Sequence, residues 1–204
     1  MDELRNTRER PRSPACERNR KPILEVLRPR LPAGGTVLEL GAGTGQHAAY
    51  FAGHLPRLRW LASDRVENHP GIRAWIEHAG LPNLEGPLAL DVTSEEWPVN
   101  QVDAAFSANT AHIMSWPAVK AMFAGAGRIL EPGAPFLLYG PFHYHGEPTS
   151  KSNARFDEWL KDEDPGMGIR DIDDIQALAG RCGLALEEDI AMPANNRTLV
   201  FRRN

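Results

Sequence analysis

The chain has 204 residues, enough for one domain with a sizeable core. Its 42% hydrophobic and 25% charged residues are ordinary for a globular protein. The net charge of -4 speaks against a nucleic-acid binder, which needs a basic face. The only cysteines, Cys16 and Cys182, suggest neither a disulfide framework nor a metal cluster. No apolar run marks a signal peptide or a membrane span, so the expected address is cytoplasmic.

Residues 1–12 mix arginines with acids and read as a disordered tail. Ser13 is placed to cap a helix, Pro14 suits its first turn, and Glu17 lies near its start. Pro22 argues against one continuous helix, so Ile23, Leu24, Val26 and Leu27 read as a second amphipathic piece ending at Pro29. By residue type alone, this is a capped surface helix.

Val37 to Leu40 is a short apolar strand that runs into Gly41-Ala42-Gly43-Thr44-Gly45-Gln46-His47. Ala48, Ala49, Phe51, Ala52 and Leu55 then follow at helical spacing. The segment is strand, tight turn, helix. Glycine in such a turn admits backbone angles closed to other residues and lets the main chain approach a ligand. The helix directs free N–H groups and a positive dipole end at whatever lies over the turn. The dinucleotide fingerprint G-x-G-x-x-G needs glycine where Gln46 stands, and a P-loop needs a Gly-Lys-Ser/Thr that is missing. An ordinary glycine-rich turn is the alternative.

Leu58 to Asp64 reads as a second strand ending in an acid. Asp64 lies about 20 residues past the glycine turn, where a carboxylate can accept two ribose hydroxyls; otherwise it caps the next turn. Ile72, Trp75, Ile76 and Ala79 form a helix stopped by Gly80-Leu81-Pro82. Leu88 to Val92 is a third strand, and its Asp91 is either a ligand-binding or a turn-capping acid. Val102 to Asn109 is the fourth strand, followed by Thr110-Ala111-His112-Ile113. Ligands of open α/β sheets sit beyond the carboxyl ends of strands, which puts Asn109 and His112 where a substrate belongs. His112 is either a catalytic group or a structural hydrogen bonder.

Val119, Met122, Phe123, Ala126, Ile129 and Leu130 form a further helix, and Pro135 to Phe142 a fifth strand. His143-Tyr144-His145-Gly146 reads as a flexible surface loop, with too few partners for a metal. Helices over 153–161 and around Ile172 to Ala179 precede two late strands, Leu184 to Ile190 and Thr198 to Phe201. Five strand-helix units and a closing hairpin make a doubly wound α/β architecture.

Glu39-x-Gly41-x-Gly43-x-Gly45 resembles motif I of the class I S-adenosylmethionine-dependent methyltransferases. Leu130-Glu131-Pro132-Gly133-Ala134 resembles their L-x-P-G-G turn, with Ala134 in place of the second glycine. Nearly the whole chain is similar to one branch of these enzymes, the domain-of-unknown-function 938 family. That likeness is carried by Ser13 to Asn19, Glu39 to His47, Leu90-Asp91-Val92, Tyr139-Gly140-Pro141-Phe142 and Met192 to Asn196.

The resemblance implies a Rossmann-like, doubly wound, seven-stranded, mostly parallel sheet with an antiparallel last strand. Residues 1–30 would be a tail and helical cap, and 31–204 the S-adenosylmethionine-binding domain. It implies that Glu39, Gly41, Ala42, Gly43, Thr44, Gly45, Gln46 and His47 hold the methionine part of S-adenosylmethionine. Asp64 would meet the ribose, Asp91 and Val92 the adenine, and Arg18 or Asn19 the cofactor carboxylate, with Asn109 at the reacting end. The family brings no known substrate; the first expectation is methyl transfer to a small molecule, and the residues suggest no metal. Positioning would supply most of the catalysis. His112 is the first candidate base, with Tyr144, His143 and Glu17 behind it, and Asn109 would orient an amine or hydroxyl acceptor. The arginine-rich N-terminus motivates an RNA or protein methyltransferase as one alternative. Asn109-Thr110-Ala111-His112 stands where amino methyltransferases carry Asn-Pro-Pro-Tyr, so a non-catalytic S-adenosylmethionine-binding partner or sensor is another. A nicotinamide oxidoreductase is disfavoured by the glycine spacing.

Overall fold

The computed structural model describes residues 10–204, so the expected tail lies outside the described residues except for Arg10 to Arg12. The first helix, α1 (Pro14–Leu27), starts where the sequence places it: the Ser13 hydroxyl accepts from the Cys16 N–H at 3.3 Å. The expected break at Pro22 does not occur, and one helix runs through it. A proline here removes one backbone hydrogen bond and crowds the preceding turn, costing about 3 kcal/mol. Packing on both sides offsets that cost. Cys16 is buried before the proline, and Ile23, Leu24, Val26 and Leu27 after it.

The chain then alternates. β1 (Gly35–Leu40), α2 (Gln46–His54), β2 (Leu58–Asp64), α3 (His69–Ala79), β3 (Leu84–Ala89), β4 (Ala104–Ala108), α4 (Trp116–Ile129) and β5 (Pro135–Gly140) follow in order. Next come the short β6 (Phe142–Tyr144) and β7 (Glu147–Pro148), α5 (Lys151–Glu163), β8 (Arg170–Asp171) and α6 (Ile172–Arg181). β9 (Leu184–Met192) and β10 (Asn196–Arg203) close the chain. Ser115, Ser150 and Asp171 cap α4, α5 and α6 with their side chains.

The main sheet has seven strands in the order β3-β2-β1-β4-β5-β10-β9. β10 runs antiparallel to β5 and β9, and the pairings among β1 to β5 are parallel. This is the sheet expected from the sequence. The chain builds outward from β1 through β2 to β3, then returns to place β4 on β1's other side. The switch point therefore lies between β1 and β4.

Strand alternation sorts side chains into two cores. Val37, Ala104, Phe106, Leu137, Tyr139 and Val200 join α1 and α2 on one face. Leu38, Leu40, Ala105, Phe136, Leu138, Leu199 and Phe201 join α4 and α6 on the other. Among the described residues no helix is long and apolar enough to cross a membrane.

Two strand readings need correction. β3 ends at Ala89, so Leu90, Asp91 and Val92 lie in the loop beyond it. Pro87 sits inside the strand, which a central strand would not tolerate; β3 is an edge, where a missing N–H goes unneeded. The fifth strand stops at Gly140. After Pro141 the chain joins a separate sheet of order β7-β6-β8, so His143 and Tyr144 belong to a strand rather than a flexible loop.

Candidate functional site

The carboxyl ends of β1, β2, β3 and β4 open onto one cavity of about 690 Å³ at the switch point. Its floor is the glycine turn. The Gly41 and Ala42 N–H groups both donate to the Ser63 carbonyl, at 3.1 and 3.0 Å, which folds the turn back over β2. Gly43 has φ 56 and open space where a Cβ would stand, so its backbone is bare to the cavity. Gly45 serves packing instead: at φ 84, a Cβ there would come within 2.8 Å of the Ile72 Cα on α3.

Asp64 ties that floor to β2. One carboxylate oxygen accepts from the Gly43 N–H at 2.7 Å. The other accepts from the Arg65 N–H at 2.7 Å and the Asn68 side-chain amide at 2.9 Å. A carboxylate has about four acceptor positions, so capacity remains for a hydroxyl from the cavity. Asp91 accepts from the Thr93 N–H and hydroxyl, at 2.9 and 2.7 Å, and these bonds hold its carboxyl below the usual range. Leu90 and Val92, both buried, set an apolar edge beside it.

On the β4 side, Asn109 adopts φ 59, a conformation asparagine tolerates better than most residues, while its N–H donates to Tyr139 O at 2.9 Å. The Ser107 hydroxyl donates to Leu40 O at 2.7 Å. Having one proton, it accepts from the Thr110 hydroxyl at 2.6 Å. These bonds lock β1 to the loop after β4.

The N-terminal segment completes the wall. Pro11 O accepts from the Trp75 indole at 2.9 Å, and the Ser13 N–H donates to the Gln46 side chain at 2.9 Å. Ser13 and Cys16 thereby face the cavity. Burial, aided by the nearby Glu39 carboxylate, pushes the Cys16 thiol up to about 12, so it stays protonated.

Among the predicted cofactor residues, Gly41, Ala42, Gly43, Thr44, His47, Asp64, Asp91, Val92 and Asn109 line this cavity. Glu39, Gly45 and Gln46 support it from behind. Glu39 accepts from the Trp60 indole at 2.7 Å within the core, and burial raises its carboxyl to about 7. His47 donates from Nε2 to the Asn19 side-chain oxygen at 2.8 Å, because that oxygen can only accept. Burial, with Arg20 adding to it, lowers His47 to about 4, so the ring is neutral. Asn19 thus acts on the cavity through His47. Arg18 is exposed on α1; burial raises the pKa of the Tyr139 hydroxyl, and the Arg18 charge opposes that shift without reversing it.

His112 and Tyr144 lie outside the lining. The His112 ring packs edge-on against Phe156, with centroids 5.4 Å apart, and lies beside Gly140. Burial and the Arg170 charge lower it to about 4. The Tyr144 hydroxyl donates to Asp189 at 2.6 Å, and burial together with that carboxylate holds its proton firmly.

Sequence reasoning missed the far wall: Met114, Ala118, Asp164 and Met167. Met114 and Ala118 continue a motif already flagged at Asn109 to Ile113. Met167 arrives from the loop after α5, and no local pattern marks it.

Residues 10–203 match the model of the family described as "Protein of unknown function (DUF938)". The chain belongs to this family. A curated relative, the S-adenosyl-L-methionine-dependent Diels-Alderase iccD of Talaromyces variabilis, is 32% identical over 143 residues. That match covers 68% of this chain and 47% of the relative, so the chain spans about half its length. Among solved structures, an O-methyltransferase family protein from Burkholderia thailandensis superposes with TM-score 0.80 at 16% identity, covering 93% of this chain and 57% of that one. The mitomycin 7-O-methyltransferase MmcR gives 0.78 at 20% identity, covering 91% and 54%. CalO1, solved with S-adenosylhomocysteine bound, gives 0.72 at 17%, also covering 91% and 54%. At these identities the likeness concerns the fold, which in this DUF938 chain is that of the class I methyltransferases.

Proposed function

We propose that the chain is an S-adenosylmethionine-dependent methyltransferase acting on a small molecule. The observation that carries this is the convergence of four strand ends on one cavity: the open glycine turn, Asp64, the Leu90-Asp91-Val92 loop and Asn109. The donor set fits the cofactor. The bare backbone at Gly43 gives a cradle for the methionine portion, and Asp64 has acceptor capacity for a ribose hydroxyl. Val92 and Leu90 supply an apolar edge for a purine, with Asp91 beside them as an acceptor for its amino group. When bound, the cofactor supplies an electrophilic methyl group.

The chain's own residues then orient and shield. Displacement at a sulfonium gains most from alignment in a water-poor site, which Asn109, Thr110 and the wall beyond them provide. His47 keeps a neutral ring on the cavity side, its Nε2 proton committed to Asn19. His112 shapes the loop after β4 from behind.

The test is calorimetric titration with S-adenosylmethionine, S-adenosylhomocysteine and NAD, repeated on Asp64→Ala with thermal melts as a folding control. The expected result is binding of the first two only. Loss of hydrogen bonds to a charged acceptor should weaken it about tenfold or more in the variant. Preferential NAD binding would overturn the reading.

A second reading draws on the Diels-Alderase relative: the cofactor binds and organises a cycloaddition without giving up its methyl group. Accumulation of S-adenosylhomocysteine during turnover favours the first reading, and turnover without it the second.

A further inference from the structure

Past β4 the cavity changes character. The glycine and acid floor gives way to Ile113, Met114, Ala118 and Met167, with Ser115 among them, its hydroxyl engaged by the Ala118 N–H as a helix cap. Ile113 is 50% exposed, one of few large apolar side chains so open to solvent among the described residues. Methionines adapt their shape to irregular apolar partners.

This wall is assembled from two distant loops and held rigid. The Arg170 guanidinium donates from Nε to Ala111 O at 3.0 Å. From one terminal nitrogen it donates to Gly166 O at 2.8 Å and to Met114 O. The Gly168 N–H donates to His112 O at 2.9 Å. A half-buried cation satisfied by three carbonyls thus clips the loop after β4 to the loop after α5. Its ring contact with Trp116 adds a further hold, at 5.8 Å.

The charges on the lining are unbalanced. Among the described residues, Asp64, Asp91 and Asp164 face a single guanidinium, Arg65. Asp64 and Asp91 are engaged by donors of the cofactor floor. Asp164 stands at the apolar end, where one oxygen accepts from the Gly166 N–H at 2.7 Å and the other has no partner among the described residues.

Resting on the cofactor reading above, we propose that this end is the acceptor subsite and that it takes a compact apolar amine. The hydrocarbon lies against Ile113, Met114 and Met167, and the ammonium meets Asp164. Arg170 is a positioning residue that holds the two loops in register.

The test uses the full chain and three probes that share one ring: naphthylmethylamine, naphthylmethanol and naphthoate. Affinities are measured by calorimetry, with S-adenosylhomocysteine titrated in parallel. The amine should bind tightest and naphthoate weakest. Asp164→Asn should lower amine affinity about 1.5- to fivefold, the range of a solvent-accessible ion pair, and leave the alcohol unchanged. Met167→Ala should weaken all three probes alike. Neither variant should alter S-adenosylhomocysteine affinity. Naphthoate binding as tightly as the amine, or no change in Asp164→Asn, overturns the proposal. If the amine pattern holds but S-adenosylhomocysteine does not bind, the cofactor reading falls and the acceptor assignment with it. If S-adenosylhomocysteine binds and the probes are not discriminated, only the subsite falls.

Discussion

Thr198 carries a buried hydroxyl with no partner among the described residues, in the middle of β10. An unsatisfied buried hydroxyl costs about 1–3 kcal/mol, whereas a methyl group of similar size costs nothing of that kind. Thr198→Val should therefore raise stability by about 1 kcal/mol in chemical denaturation, and a loss of stability would show that the hydroxyl has a role in the fold. His112 poses a sharper question, because its ring packs behind the cavity wall instead of lining it. If it acts on the acceptor, His112→Ala lowers the single-turnover rate and leaves S-adenosylhomocysteine affinity intact. An unchanged single-turnover rate removes His112 from the chemistry. Position in the chain put His112 at the right strand end, but nothing local says which way a side chain turns. The acids were easier: Asp64 and Asp91 follow apolar runs and face the ligand end of the sheet whichever register the strand takes.

Among the elements, α1 carries the largest departure from expectation. Local rules end a helix at Pro22, and packing on both sides of it wins. Pro22→Ala restores the missing hydrogen bond and should stabilise the protein by about 1–3 kcal/mol. For a domain of this size that is a rise in Tm of roughly 2–4 °C per kcal/mol. A fall in Tm would mean that the ring packs in a way that outweighs the lost bond. β3 departs for a related reason: its proline is tolerable only because the strand lies at the sheet edge, and edge status emerges from topology rather than from any window of sequence. The glycine turn was readable because three requirements coincide there: positive φ at Gly43, a tight turn over Ser63, and close approach of α3 at Gly45. The acceptor wall was not, because Arg170 joins loops about 50 residues apart through backbone carbonyls, which leave no mark on residue type.

At the scale of the whole molecule, buried ionisable groups set opposing pH trends. Glu39 keeps its proton up to about 7 in the folded state and loses it near 4.5 when unfolded. The folded state then binds more protons through that window, so this contribution falls as pH rises from about 4.5 to 7. His47 and His112 are lowered from 6.5 to about 4, so the unfolded chain binds more protons between those values, and their contribution grows with rising pH. The two trends partly cancel in the native protein. Glu39→Gln removes the falling one, so its stability should climb more steeply from pH 4 to 7 and exceed the parent's at pH 8 by about 3 kcal/mol. Parallel stability curves for the two proteins would show that Glu39 is ionised normally.

Residues 13–92 supply the glycine floor, the acids and the N-terminal wall as one uninterrupted stretch of chain, while the far wall comes from two later pieces pinned by Arg170. The two halves of the cavity are therefore separately editable. Loop 164–168 can change its side chains without disturbing a single hydrogen bond of the floor, provided the Gly166 carbonyl that Arg170 grips and the Gly168 N–H bond to His112 are kept. Such a layout lets descendants of one ancestral chain diversify what they accept while inheriting one unchanged half. A library confined to that loop is accordingly the shortest route to a new specificity.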